Sequence, residues 1–330
     1  MIIVTGAAGF IGSHLVKGLN AMGCADILAV DDLTDGRKFK NLAALSLIDY
    51  QDYEDFLQQV LSGSSSIHRK KIDAIFHEGA CSVTTEWNGR YMMRNNYEYS
   101  KQLLHFSAQH KIPFIYASSA AVYGGSQTFT ETSHAEMPLN VYGYSKWLFD
   151  QYMLQQRITS QVVGLRYFNV YGPHEQHKGP MASVAFHFMN QLKETGVVKL
   201  FAGYDGYADG EQLRDFIYVE DIVKVNLWFL KHREQSGIFN VGTGKARTFN
   251  DIARILIALH GAGTIQYIPF PETLKSAYQS FTEAEITKLR NAGYHEDFYS
   301  LEEGLRRYFN LIHPSPSSYV KQATSSAVDL

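Results

Sequence analysis

The sequence predicts an α/β fold built on a doubly wound parallel sheet, with a smaller α/β domain attached. In the first half of the chain, short runs rich in β-branched residues alternate with longer amphipathic segments. This alternation is typical of parallel strands joined by crossover helices. The runs are apolar along their whole length, as expected for strands covered on both faces. A glycine-rich segment follows the first run.

The individual elements follow from periodicity. A helix is expected from Ile11, where Leu15 and Leu19 repeat apolar character at every fourth residue, and further helices at 91–109 and 144–155. The predicted strands are Ile2–Thr5, Ile27–Asp31, Ala74–His77, 114–118 and 162–166.

After residue 170 the pattern loosens. A turn signal at 171–173 precedes a predicted helix at 181–192 and a loop at 201–212, which is rich in Gly, Tyr and Asp. A strand at 216–219, a helix at 221–231 and a strand at 238–241 follow. The expected domains are 1–170 plus 216–245, and 171–215 plus 246–312. Pro, Ser, Ala and Thr dominate 313–330, so a disordered tail is expected there.

Composition narrows the class of protein. The 330 residues are 45% hydrophobic, which is ample for a large core, and the net charge of −3 favours neither nucleic acid nor an anionic membrane as partner. Only Cys24 and Cys81 are present, without zinc-ligand spacing, and no apolar run is long enough to span a bilayer. With no signal peptide visible, we expect a cytoplasmic protein without a structural metal.

The first loop predicts a dinucleotide site in the first domain. Gly6, Gly9 and Gly12 lie between the first strand and the first helix with the spacing GxxGxxG. Glycines there let the backbone approach a pyrophosphate, and the free N–H groups of the helix N-terminus favour its negative charge. The alternative interpretation is a plain glycine-rich turn.

Charged residues near the end of the second strand bear on the choice of cofactor. Asp31 and Asp32 stand where an acid meets the adenosine ribose, which favours NAD. Arg37 and Lys38 follow closely and could bind a 2′-phosphate, which favours NADP. A solvated charge cluster is the third interpretation, and the sequence leaves all three open.

A tyrosine and a lysine four residues apart indicate redox chemistry on a hydroxyl group. Tyr142 and Lys146 would share one helix face, where the ammonium is expected to lower the pKa of the phenol. Tyr144 would point elsewhere. Ser119, at the end of the strand 114–118, would supply a hydroxyl beside them. These three side chains can hold a substrate hydroxyl while hydride leaves its carbon.

Together these features resemble the extended short-chain dehydrogenases that act on sugar nucleotides, over residues 1 to 310. Longer runs resemble one branch of that family, the epimerases acting at C6″ of ADP-glycero-manno-heptose in lipopolysaccharide precursor synthesis. The shorter motifs are the three glycines, 77–80, 118–124, Tyr142 with Lys146, and 166–173. The longer runs are 77–82, 84–87, 91–93, 140–146, 177–179, 181–187 and 267–271.

The resemblance implies a full set of site residues. The implied cofactor site, for NADP or alternatively NAD, consists of Gly6, Gly9, Phe10, Ile11, Gly12, Asp31, Asp32, Lys38, Glu78, Gly79, Ala80, Cys81, Asn95, Lys146 and Val170. The implied substrate site consists of Asn169, His187, Phe201, Ala202, Gly203, Tyr204, Arg214 and Tyr278. Packing for the aromatic residues, and an ion pair of Arg214 with Asp215, are the structural alternatives.

The resemblance also places a second acid/base on Lys178, which the sequence alone would make a surface lysine. Inverting an exocyclic carbon requires the ketone to present its other face to the nicotinamide, so its oxygen lands away from Tyr142 and needs another proton donor. A metal site formed by His174, His177 and His187 is the less favoured interpretation of the same region, since no acid or cysteine completes the set.

Local departures refine the expected activity. Ala120 and Ala121 stand where dehydratases and decarboxylating relatives of this class carry acids, so epimerisation is the simplest outcome. Pro180 replaces a serine of the family, and Tyr53 replaces a lysine that some relatives place near the 2′-phosphate. C4 epimerisation of another nucleotide sugar and a non-catalytic NAD(P)-binding sensor are the alternatives. A homo-oligomer is expected from the family.

Overall fold

A computed structural model describes residues 1–63, 66–275 and 278–313, and it contains a wholly parallel seven-stranded sheet. This confirms the predicted fold class. The order of strands across the sheet is β10-β6-β5-β4-β1-β2-β3. Their bounds are β1 Ile2–Thr5, β2 Ile27–Asp31, β3 Asp49–Asp52, β4 Ala74–His77, β5 Phe114–Ser119, β6 Val162–Tyr167 and β10 Gly237–Val241.

Helices cover both faces of this sheet, because its strands, apart from the polar edge strand β3, carry apolar side chains on both faces. Val4 packs on one face with α1 (Phe10–Ala21) and α7 (Val219–Lys231). Ile3 packs on the other face. The helices of that second layer are α2 Tyr53–Leu61, α4 Tyr99–His110 and α5 Val141–Leu154.

Two features of this domain differ from the sequence prediction. The polar edge strand β3 was not predicted, because Asp49–Asp52 lacks the β-branched run that marked the other strands. The helix expected at 91–109 is interrupted: α3 (Gly89–Met93) runs into a π-helical turn (Arg94–Glu98) before α4 begins. π-helical turns of this kind frequently occur at functional sites.

A smaller α/β layer lies beyond the carboxyl ends of the large sheet. Its three-stranded sheet has the order β11-β9-β7, and its two-stranded sheet pairs β8 with β12. The strands are β7 Asn169–Tyr171, β8 Val197–Phe201, β9 Leu213–Tyr218, β11 Ala246–Thr248 and β12 Thr264–Ile268. The helices are α6 Val184–Thr195, α8 Phe249–His260, α9 Glu272–Lys275 and α11 Leu301–Ile312. Helix α10, Thr287–Asn291, packs instead on β10 of the large sheet through Leu289. Apolar residues of α6, α8 and α11 form one core under this layer.

Within the segment 216–245, the elements divide between the two layers. β10 is an edge of the large sheet and α7 packs on α1, but β9 pairs with β7 and β11 of the small sheet. The proposed domain bounds remain a prediction. The tail expected at 313–330 lies, from residue 314 onward, outside the described residues. None of the helices in the described part of the chain has the length and apolar character needed to cross a membrane.

Candidate active site

A cavity of about 1050 Å³ opens between the large sheet and the smaller α/β layer, at the carboxyl ends of the parallel strands. This is where open α/β sheets bind ligands. Every predicted catalytic and cofactor-binding residue lines it. Five of the eight predicted substrate-binding residues line it as well: Asn169, His187, Phe201, Arg214 and Tyr278. The structure therefore brings most of the predicted site together in one space.

The glycine loop is shaped for close backbone approach. Gly6 has a positive φ of 66°, and a Cβ there would lie 2.7 Å from the backbone nitrogen of Gly79. A Cβ at Gly12 would collide with the carbonyl of Gly6. Helix α1 begins after Gly9 with neither a capping side chain nor an acidic residue in its first turn. Its N-terminus therefore offers uncompensated N–H groups to a phosphate, which fits the pyrophosphate of a dinucleotide.

The Asp31 carboxylate, which was expected to contact a ribose, already has two partners within the protein. One carboxylate oxygen accepts a hydrogen bond of 2.6 Å from the Ala8 N–H, and the other pairs with the Lys38 ammonium at 2.6 Å. Lys38 therefore reaches the cavity with its charge already balanced by Asp31. Asp32 has a lowered pKa because it accepts hydrogen bonds from Thr34.

The segment after β4 is held against the cavity by a residue that sequence analysis missed. Asn96 is buried, and its amide exchanges two hydrogen bonds with the backbone of Cys81, of 2.8 and 2.9 Å. It also donates to the Ser145 hydroxyl at 3.1 Å. Its neighbours in the sequence include Arg94, Asn95 and Glu98, so nothing in the local pattern marked Asn96 as buried. The predicted Asn95 lines the cavity next to it.

Three of the predicted catalytic side chains, Ser119, Tyr142 and Lys146, come from two neighbouring elements. Asn140 caps α5 by accepting from the Gly143 N–H, so the helix starts just before Tyr142. Ser119 ends β5 and forms a hydrogen bond with Tyr142. The Lys146 ammonium is buried and donates a hydrogen bond of 2.8 Å to the carbonyl oxygen of Ala117.

The lowering of the Tyr142 pKa that was expected from Lys146 is not seen in this structure. Burial raises the pKa of Tyr142, and the hydrogen bond from Ser119 opposes this only in part. Lys146 has a pKa lowered to about 8 by burial, and its ammonium is bonded to a carbonyl. Glu78, in the same wall, has a pKa raised to about 7 by burial. Its Oε1 accepts from Tyr167 at 3.0 Å, while its Oε2 is buried and has no partner among the described residues.

Lys178 lines the same cavity from a different element, a short 3₁₀ turn that spans Gln176–Met181. Its ammonium lies 3.7 Å from the Glu175 carboxylate and 5.0 Å from the centre of the Phe10 ring. Burial lowers the pKa of Lys178. It is therefore not a free surface lysine. Within the described residues, no group of three His, Cys, Asp or Glu side chains could hold a metal ion.

Three predicted substrate residues lie outside the cavity wall. The Ala202 and Gly203 backbones bond within the subdomain, to Ile268 and Asp209. The Tyr204 ring instead stacks on Phe270, with the ring centres 4.4 Å apart. These contacts are made within the smaller layer, and none of the three residues lines the cavity.

Arg214 faces the cavity and has no carboxylate partner among the described residues. The open alternative, an ion pair with Asp215, is excluded because the Asp215 carboxylate accepts hydrogen bonds from Thr243, Gly244 and Ala284 instead. The guanidinium of Arg214 lies 4.8 Å from the Tyr278 ring centre, and burial lowers its pKa. A buried guanidinium of this kind suits a diphosphate, which can accept two parallel hydrogen bonds.

Known proteins resemble this chain in both sequence and fold. The NAD dependent epimerase/dehydratase family matches residues 2–242. An ADP-L-glycero-D-manno-heptose-6-epimerase of Alkalilimnicola ehrlichii is 56% identical over 319 residues, covering 96% of this chain and 99% of that protein. The crystal structure of the Helicobacter pylori ADP-L-glycero-D-manno-heptose-6-epimerase is 33% identical, with a TM-score of 0.82 and coverage of 95% and 96%. A Thermus thermophilus UDP-glucose 4-epimerase in complex with NAD is 25% identical, with a TM-score of 0.78 and coverage of 95% and 99%.

The chain belongs to the NAD-dependent epimerase/dehydratase family. Within that family it belongs with the ADP-L-glycero-D-manno-heptose-6-epimerases, since the identity extends over nearly the whole of both chains. The nicotinamide-dependent class, the parallel sheet and the family resemblance expected from the sequence are thereby confirmed.

Proposed function

We propose that this chain converts ADP-D-glycero-D-manno-heptose into its L-glycero epimer by oxidising C6″ and reducing it again from the other face. The observation that carries the proposal is the placement of Tyr142 and Lys178 in the wall of one cavity, in a chain 56% identical to a 6-epimerase. When bound, the nicotinamide ring supplies the hydride acceptor and donor for the two steps.

In the oxidation step, Tyr142 takes the proton of the C6″ hydroxyl while hydride leaves the carbon. Tyr142 enters this step as a phenolate and leaves it as a neutral phenol. Ser119 orients the hydroxyl from the end of β5, and the positive charge of Lys146 favours the phenolate before the proton is transferred. The raised pKa of Tyr142 makes this assistance necessary, because an unaided phenol would hold its proton at neutral pH.

In the reduction step, the keto sugar has rotated about its exocyclic bond, and its oxygen faces away from Tyr142. Lys178 then gives its proton to that oxygen as hydride returns to C6″. A lysine whose pKa is lowered by burial is a better proton donor than one in water. Across one turnover Tyr142 gains a proton and Lys178 loses one, and both exchange with solvent afterwards.

The remaining walls suit the other parts of the two ligands. Arg214 would bind the diphosphate of the nucleotide sugar, with Asn169, His187, Phe201 and Tyr278 as further contacts. We propose NADP as the cofactor, with NAD as the alternative, because the Lys38 side chain lines the cavity, where it could bind a 2′-phosphate. The close pairing of Lys38 with Asp31 and the presence of Tyr53 argue for the alternative.

We further propose that the enzyme acts in the cytoplasm, where its nucleotide-linked substrate and nicotinamide cofactor would be available, as part of lipopolysaccharide precursor synthesis. Cys24 and Cys81 are both free thiols, in keeping with a reducing compartment. A homo-oligomer is proposed from the family, and size-exclusion chromatography with light scattering tests it: a single monomer mass would reject it.

The deciding experiment is a product assay with purified protein. Incubation with ADP-D-glycero-D-manno-heptose should yield the L-glycero epimer, resolved by chromatography and NMR, without net consumption of cofactor. A panel containing UDP-hexoses is the control, since conversion of those at C4 without action on the heptose would reject the proposal. Mass spectrometry of the nucleotide that co-purifies distinguishes NADP from NAD.

A further inference from the structure

Glu175 closes the loop that carries Lys178. Its side chain is completely buried, and it accepts hydrogen bonds from the Gly172 N–H at 3.2 Å and from the Ser183 N–H at 2.6 Å. The Ser183 hydroxyl donates a third, of 2.7 Å. Because Gly172 and Ser183 lie on either side of Lys178 in the sequence, one carboxylate ties both ends of the loop together.

The same carboxylate is the counter-ion of Lys178. The Nζ–Oε2 distance of 3.7 Å is longer than a normal hydrogen bond of about 2.7–3.2 Å, so the two are joined mainly by charge. The Phe10 ring, 5.0 Å from Nζ, adds a weak cation–π contact. The ammonium is thus kept at the cavity wall with N–H donors left for another acceptor.

Lys178 and Glu175 each shift the pKa of the other. Burial lowers the pKa of Lys178, and the Glu175 carboxylate raises it. Burial also raises the pKa of Glu175, which Lys178 and the bonds from Ser183 oppose. The other titratable groups coupled to this pair are Tyr308 on α11, next to Glu175, and His177, next to Lys178. Neither Tyr308 nor His177 supplies a negative charge at neutral pH that could replace Glu175.

We propose that Glu175 is a positioning residue for epimerisation: its buried carboxylate holds the Lys178 ammonium at the cavity wall and keeps it protonated until the keto sugar is reduced. This inference rests on the proposed role of Lys178 as the second acid. When Lys178 gives its proton to the C6″ oxygen, Glu175 is left as a carboxylate stabilised by Gly172 and Ser183. The negative charge of Glu175 then favours reprotonation of the Lys178 amine by solvent.

Glu175→Gln tests the charge, because the amide oxygen can still accept a hydrogen bond from Ser183. Acetylation of Lys178 by acetic anhydride across a pH series, in competition with a reference amine and followed by peptide mass spectrometry, measures the pKa of Lys178 in the full chain. We expect a fall of about one to two pH units in the variant, with turnover at alkaline pH reduced about tenfold or more. An unchanged labelling curve would overturn the inference.

Ser183→Ala is the matched control, since it removes a hydrogen bond from the same carboxylate but leaves the charge. Its labelling curve should follow that of the wild-type protein, and an equal shift there would overturn the inference in favour of loop geometry. If Glu175→Gln does not fold, Glu175→Asp retracts the charge by one methylene and should give a smaller shift in the same direction. No shift in that variant would again contradict the inference.

Lys178→Ala separates this inference from the proposed function. Near wild-type turnover in that variant would reject Lys178 as the second acid, and with it the catalytic part of this inference. The labelling curve tests the link between Glu175 and Lys178 independently of turnover, so the two failures are distinguishable.

Discussion

Ser118 donates a hydrogen bond of 2.9 Å to Asp150, which joins the end of β5 to the buried face of α5. Asp150 also pairs with Arg166 at 2.9 Å, and both side chains of that pair are inaccessible to solvent. Ser119 follows Ser118 directly, and Lys146 lies one helical turn before Asp150. This buried contact therefore fixes β5 relative to α5, the two elements that carry the predicted catalytic residues.

Asp150→Asn should destabilise the protein markedly. It leaves the buried Arg166 with one carboxylate fewer, and breaking a buried ion pair costs about 3–5 kcal/mol. Urea denaturation followed by circular dichroism measures the loss. Asp297→Asn, on the exposed surface, is the control and should change stability by less than about 0.5 kcal/mol. Equal stability of the two variants would contradict a structural role for the Asp150 pair.

Tyr142→Phe should reduce turnover by about 10²–10⁴-fold, because the base for the C6″ hydroxyl is lost. Cofactor content should stay unchanged, since the phenol is not needed to hold the dinucleotide. Tyr144→Phe is the matched control, on the same helix but largely exposed to solvent. The assignment fails if both variants turn over at similar rates in the epimer assay.

Lys178→Ala should reduce turnover about 10²-fold or more while cofactor stays bound, because no proton donor then meets the rotated keto group. Release of the keto sugar, or its trapping by an external reductant, should increase in the variant. Lys193→Ala, exposed on α6, controls for loss of a positive charge. Undiminished turnover without Lys178 would dismiss its role.

Glu78→Gln should make stability less sensitive to pH. Burial raises the pKa of Glu78 from 4.5 to about 7, so the folded state favours the protonated carboxyl. The stability that this raised pKa contributes to the folded state is fully present below about pH 4.5 and is lost as pH rises through about 7. The stability of the wild-type protein relative to the variant should therefore fall between pH 5 and about pH 8. Urea melts across that range measure it, with the surface variant Glu234→Gln as control. Parallel pH profiles for wild type and Glu78→Gln would contradict the expectation.

Arg214→Lys should raise the KM for the nucleotide sugar about tenfold or more, with a smaller effect on kcat, because a lysine cannot bind two diphosphate oxygens in parallel. Initial rates over a substrate series separate the two constants. Arg233→Lys, on the exposed surface, should leave both unchanged. A fall in kcat alone would place Arg214 at the reacting carbon instead.

The parallel sheet could be predicted strand by strand where the runs were apolar. Ile2–Thr5, Ile27–Asp31 and Ala74–His77 have the expected bounds, whereas the polar edge strand Asp49–Asp52 gave no such signal. In the site, the glycine loop and the Tyr142–Lys146 spacing were visible because both are local patterns. The pairing of Asp31 with Lys38 was not foreseen, because three interpretations of those charges were consistent with the sequence.

Periodicity and motif spacing by themselves determined the fold class, the cofactor loop and the family, since these depend on residues that are near neighbours in the chain or in matching runs. Only the tertiary structure decided what each ionisable group faces. Lys146 meets the Ala117 carbonyl 29 positions away, Asn96 bonds to Cys81 15 positions away, and Arg214 turns away from its neighbour Asp215. Those contacts set burial and charge, and burial and charge set the pKa values on which proton transfer depends.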